Sequence, residues 1–108
     1  MVEILWTGRA DADLQRLYER AEGHSEGAGD RLQEGLVHVL DLMQMFPERW
    51  RVVHRGGFRR ALVSRTIGLI YRVEARGIIV HAMFDLREDP RYAERLLDDL
   101  SRGLPPTR

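Results

Sequence analysis

The chain has 108 residues, 44% apolar and 31% charged, which suits one hydrophobic core and leaves no room for two. Its 17 basic residues balance 17 acidic ones to a formal charge of zero. A protein that holds nucleic acid chiefly through phosphates carries a basic excess, so neutrality leaves only local clustering of arginines as a route to that function. There is no cysteine, which excludes disulfides and thiolate metal sites. No run approaches the roughly 18 apolar residues of a membrane span, and Met1 to Thr7 is not a basic start followed by an apolar leader, so a cytoplasmic protein is expected. Every basic residue is arginine; on solvated faces the two cations are interchangeable, and coding bias is the simplest reading of the missing lysines.

Val2 to Trp6 is short, apolar and partly β-branched, the pattern of a buried strand. A helix follows. Thr7 is placed to cap it, Asp11 and Asp13 put acids in its first turns, and Ala10, Leu14, Leu17, Tyr18 and Ala21 form an apolar face. Glu22 to Ala28, with Gly23, Ser25 and Gly27, reads as a turn. A second helix is predicted from Leu32, Leu36, Val39, Leu40, Met43 and Phe46, and Pro47 stops it. The hairpin of about Arg9 to Met45 must bury both stripes on a common apolar partner.

From Arg59 the pattern changes to alternation or continuous apolar runs: Arg60 to Val63, Ile67 to Glu74 and Gly77 to Phe84, with a tight turn at Ala75 to Gly77. Pro90 is placed to start a last helix whose apolar face is Tyr92, Ala93, Leu96, Leu97 and Leu100, and Gly103 and Pro105 end it. The prediction is a single α+β domain of order βααβββα. It consists of an antiparallel sheet that includes the first strand, a helical hairpin packed on one face, and a short C-terminal helix. The core is expected over about residues 2 to 100 and a flexible tail over 101 to 108.

This order, together with particular residues, resembles the RelE/ParE toxin superfamily of type II toxin–antitoxin systems. Trp6-Thr7 with Ala10 and Asp13-Leu14 is similar to the start of that family's first helix, and Leu42 with Phe46-Pro47 to the end of its second. Gly57 to Val63, Gly68 to Val73 and Ile79 to Phe84 fall where the family has its meander strands. Arg87-Glu88-Asp89-Pro90 with Tyr92 resembles the arginine, Asp-Pro and aromatic that follow the last strand on the ParE side. The likeness covers about Val2 to Leu97. The sequence departs from the pattern at Thr66-Ile67, where a Pro-Tyr often stands, and at Asp85, where a polar His or Gly is common.

The resemblance implies a plasmid-stabilising, growth-inhibiting toxin neutralised by a cognate antitoxin, in a hetero-oligomer with it. On the ParE side it implies a protein that binds DNA gyrase and stalls it on cleaved DNA. The RelE side implies an endoribonuclease that cleaves mRNA on the ribosome, and a third reading is a degenerate, non-toxic antitoxin-binding module. Ribonuclease chemistry needs a proton acceptor, a cation for the transition state and an acid for the leaving oxygen. Arg60, His81, Arg87 and Tyr92 are the candidates, with His54 a further proton carrier. Lysines that RelE-like nucleases commonly use are absent, and arginine is a poor proton acceptor, which favours a binding toxin over an enzyme.

The candidate target-binding residues are therefore Arg87, Arg59, Arg60 and Arg72. Arg87 leads because it stands just past a strand end, where functional side chains sit on a rigid scaffold. Each has a structural alternative. Arg72 can simply solvate the sheet beside Glu74, His81 can be a core histidine, Arg87 can pair with Asp85 or Asp89, and Tyr92 can pack the last helix. Met43, Met45 and Trp50, with Leu104, are the candidate antitoxin-docking surface. His24, His38, His54 and His81 are scattered without metal-ligand spacing, and no phosphate-cradling glycine loop is present, so neither metal nor cofactor is expected.

Overall fold

In a computed structural model, which describes residues 2–88 and 91–103, the chain opens with strand β1 (Ile4–Trp6) and passes at once into helix α1 (Gly8–His24). Thr7 makes that transition. Its backbone is extended, its hydroxyl oxygen accepts from the Ala10 amide at 3.1 Å, and its own N–H donates to the Val80 carbonyl. A three-residue turn leads to helix α2 (Ala28–Met45), shorter than the expected Glu22 to Ala28. Gly27 caps α2 with a left-handed φ of 84° that a side chain would resist. The Glu22 carboxylate supplies the missing cap, accepting from the Gly27 and Gly29 amides at 3.2 and 2.8 Å.

After Pro47 the chain forms β2 (Val52–His54), β3 (Phe58–Leu62), β4 (Ile67–Glu74) and β5 (Gly77–Asp85), then α3 (Tyr92–Arg102). The strands lie in the order β1-β5-β4-β3-β2. The expected α+β architecture is present, with two differences. β1 runs parallel to β5, in the register Ile4↔Ile78 to Trp6↔Val80, so the sheet is mixed. Two helices and three other strands separate these partners, and no tight turn imposes an antiparallel return. β2 is an additional strand, pairing with β3 only at Val52↔Arg59 and His54↔Phe58 with an irregularity between. Such a short edge strand has too little alternation to be read in sequence.

The two faces of the sheet carry different cores. Ala61, Leu69, Tyr71, Ile78, Val80 and Met83 face the helical hairpin, meeting Ala10, Leu17, Leu36 and Met43. Phe58, Ile70 and Phe84 face the other way and are covered by Leu97, with Tyr92, Ala93 and Leu100 around it. Burial on both sides explains why β4 and β5 read as continuous apolar runs. β5 carries a bulge: Ile70 pairs with Ala82 and Tyr71 with Val80, leaving His81 as the extra residue. Beyond Val80, where β1 ends, side chains from the start of α1 take over. The Thr7 hydroxyl donates to the His81 carbonyl, and the Asp13 carboxylate accepts from the buried Met83 amide at 3.0 Å. α3 extends through Ser101 and Arg102, inside the segment expected to be a flexible tail. The expected roles of Asp89, Pro90, Leu104 and Pro105 lie outside the described residues.

Candidate functional site

The end of β5 is a fixed platform. Asp85, its last residue, pairs with Ile67 in the sheet and is 2% exposed. Its carboxylate accepts from the Arg87 amide at 2.8 Å and from Arg87 Nε at 3.0 Å and Nη2 at 2.6 Å. The Leu86 amide donates to the Thr66 carbonyl and the Glu88 amide to the Asp85 carbonyl, so the chain turns tightly here. The Arg87 side chain nevertheless remains 62% exposed. Its hydrogen bonds hold the Asp85 carboxyl below the usual carboxylate range against the opposing effect of burial, and the carboxylate raises the arginine further above its own. Arg87 thus pairs with Asp85, one of the two partners the sequence offered; the other, Asp89, lies outside the described residues.

Arg87 stands at the mouth of a pocket of about 230 Å³ between the closed end of the helical hairpin and the β3–β4 turn. The floor is aliphatic, from Leu17, Ala21, Leu32 and Ile67, and the rim carries Arg20, His24 and Arg31. Arg20 and Arg31 are exposed on α1 and α2, and neither stands out as a candidate in the sequence. The two arginines meet only because the hairpin folds back on itself, and their spacing of eleven residues corresponds to no motif.

A family model described as the ParE toxin of the type II toxin–antitoxin system, parDE, matches residues 4–90. The chain belongs to the ParE toxin family. The matched span runs from β1 past the Asp85–Arg87 platform. Among solved structures, this ParE-family chain is similar to the chromosomal ParDE toxin–antitoxin system of P. aeruginosa. The TM-score there is 0.68 at 19% identity, over 79% of this chain and 96% of the other. The E. coli DinJ–YafQ complex matches at a TM-score of 0.56 and 17% identity, over 80% and 94% of the two chains. YafQ from E. coli strain BL21(DE3) matches at 0.55 and 17%, over 79% and 93%. Comparison with curated proteins gave no match. At these identities the structural likenesses establish the fold; the family rests on the sequence model.

The remaining candidates of this ParE-family chain are dispersed. Arg60 is exposed and lines a separate groove beside α3, with Val52, Ile70, Ala93 and Leu97. Arg59 points to the hairpin side and donates to the Trp50 and Glu48 carbonyls at 2.6 and 3.1 Å, so it ties down the loop after α2 instead of presenting a free fork. Arg72 does not solvate the sheet: it is 2% exposed, with its guanidinium 5.5 Å from the centre of the Phe58 ring. A flat guanidinium is readily stacked in this way beneath a helix.

His81 is buried on the same face, edge-on to Phe58 at 5.4 Å and 3.4 Å from Glu74. Burial lowers its pKa, although Glu74 pulls the other way. Its neutral form is therefore the resting one. Tyr92 packs at the start of α3, its hydroxyl accepting a long 3.5 Å contact from Arg9. His54 is tied to Asp98 of α3 at 3.1 Å.

The expected apolar docking surface is also redistributed. Met43 is fully buried between α2 and the sheet, because the stripe that defines α2 turns it inward. Trp50 is half-buried and meets Tyr71 edge-on, with Arg49 over its ring. Met45 is exposed, and with Phe46 and Pro47 it forms an apolar shelf at the end of α2. Among the described residues no helix is long and apolar enough to cross a membrane.

Proposed function

We propose that this ParE-family toxin acts in the cytoplasm as a binding inhibitor of DNA gyrase. The Arg87 platform and the adjoining terminal helix form its target surface, and a cognate antitoxin holds it silent. The observation that carries the reading is the separation of the candidate groups. Of the residues singled out in the sequence, Arg87 alone lines the hairpin pocket, while Arg60, Arg72, His81 and Tyr92 belong to the α3 face, with His81 and Arg72 buried there. A phosphodiester-cleaving site needs its proton acceptor and its cation within reach of one phosphate. A binding surface needs only a fixed, exposed, directional charge, and Arg87 supplies one. Asp85 consumes two of its donors and orders the side chain before any target arrives, which lowers the entropic cost of using the outward-facing donors.

The test is induction of the chain alone, followed by purified assays. The expected result is a DNA-damage response in cells and stabilised gyrase–DNA cleavage complexes in vitro, both reduced in Arg87→Ala and Arg87→Lys. Ribosome-dependent mRNA cleavage, lost in His81 or Tyr92 variants, would instead establish the ribonuclease reading. Neither effect from a folded, stable chain would leave an antitoxin-binding module without toxicity.

A further inference from the structure

The pocket beside Arg87 combines an aliphatic floor with a cationic rim, and the two features define what fits. Its volume of about 230 Å³ suits one large aliphatic or aromatic side chain. Leu17, Leu32 and Ile67 contribute buried apolar surface to it. The lining holds no Phe, Tyr or Trp ring, the broad platforms on which single-strand binders stack successive bases. At the rim, three arginines stand against the single carboxylate of Asp85, which Arg87 already engages. Arg20 and Arg31 have no salt bridge among the described residues. In a chain of zero net charge, this is a local excess of positive charge over an apolar hole.

We infer that this pocket is a docking site for an acidic segment of the antitoxin. The segment seats one large apolar side chain on Leu17, Leu32 and Ile67 and aims flanking carboxylates at Arg20 and Arg31. Charge complementarity selects this occupant: a carboxylate meets each fork bidentately, and the apolar anchor displaces water from the floor. The occupant also covers Arg87, so antitoxin and target compete for the same ground, and silencing follows from occlusion without a change of fold. This inference rests on the toxin reading above in taking an antitoxin as the partner, and it adds the site and the chemistry.

The experiment measures binding of the purified full-length chain to the product of the adjacent antitoxin reading frame by calorimetry at two salt concentrations. Arg20→Glu, Arg31→Glu and the cavity-filling Ala21→Phe are tested alongside the parent. Each charge reversal is expected to weaken binding at least about tenfold and to flatten its salt dependence. Ala21→Phe is expected to weaken binding with the salt dependence retained. Arg20 and Arg31 lie outside the proposed target surface, so their variants should keep toxicity when expressed alone and escape neutralisation when the antitoxin is co-expressed. Melting curves matching the parent establish that the exposed-rim variants are folded.

Undiminished affinity in both charge reversals overturns the inference. So does failure of the parent chain to bind that product, and so does a loss confined to nucleic-acid binding. Gyrase assays separate the two readings: a chain inert toward gyrase whose rim variants lose the antitoxin refutes the target alone. A gyrase inhibitor whose rim variants keep the antitoxin refutes the docking site alone.

Discussion

Removing the Asp13 carboxylate should destabilise the domain through one buried amide. β1 stops pairing with β5 at Val80, and the outer edge of β5 beyond it is closed by α1. Met83 is fully buried, and its N–H donates to Asp13 Oδ2 at 3.0 Å. Asp13→Ala leaves that donor without an acceptor in a place water does not reach. The desolvation penalty of an orphaned buried group is about 1 to 3 kcal/mol. At roughly 2.1 cal/mol/K per residue, the 108 residues have an unfolding entropy of about 0.23 kcal/mol/K. The melting temperature should therefore fall by about 4 to 13 °C. Asp13→Asn keeps a carbonyl acceptor at the same place and should fall by less than half as much. Thermal melts by circular dichroism rank the three proteins, and hydrogen exchange at the Met83 amide locates the effect. Equal melting temperatures for the parent and Asp13→Ala, or Asn proving as damaging as Ala, would refute the argument. Asp13 lies next to the strand whose end carries Asp85 and Arg87, so toxicity should decline with stability and not ahead of it.

Other expectations follow from the same geometry. Arg87→Ala should reduce gyrase inhibition roughly tenfold, and Arg87→Lys should lose much of it too, because a point charge cannot reproduce the fork; titrations at equal folded protein would read this. Asp85 has its pKa depressed in the fold, so it contributes stability above the ordinary carboxylate pKa that is lost as pH falls through the lowered value. Asp85→Asn should flatten that acid limb in denaturation curves taken across pH. Burial lowers the pKa of His81, so its contribution is present above the ordinary histidine value near 6.5 and is lost as pH falls through the lowered one. An NMR titration should find its midpoint below those of exposed histidines. The Tyr71 phenol donates to the Pro47 carbonyl at 2.6 Å, and burial pushes its pKa up to about 12. Its stabilising effect should hold below the ordinary value of 10 and fade between there and about 12 in ultraviolet titration.

Much of this architecture was legible in the chain because it depends on local periodicity. The stripe through Leu32, Leu36, Val39 and Met43, the Thr7 cap, the stop at Pro47 and the two apolar runs of β4 and β5 are each set by neighbours within a few residues, and each formed where expected. The family resemblance was legible for a related reason. Thr7, Ala10 and Asp13, which carry part of it, stand three residues apart at the start of α1, where Thr7 and Asp13 hydrogen-bond to β5 and Ala10 packs in the core between them.

What the sequence could not determine depends on which surfaces meet. Met43 and Met45 are two residues apart and similar in chemistry, yet helical rotation buries one completely and leaves the other on an exposed shelf. Arg72 lies on a strand whose alternate face would be solvated in a two-layer protein. Only the docking of α3 over Phe58 turns that face into a second core and buries it. Arg20 and Arg31 belong to different helices, and their convergence on Arg87 requires the hairpin to close and the strand to end at the same corner. Periodicity along a chain specifies which way a side chain points relative to its own element. Whether water, another helix or another charge stands there is decided by contacts between residues far apart in sequence, and a single sequence carries no local signal of those.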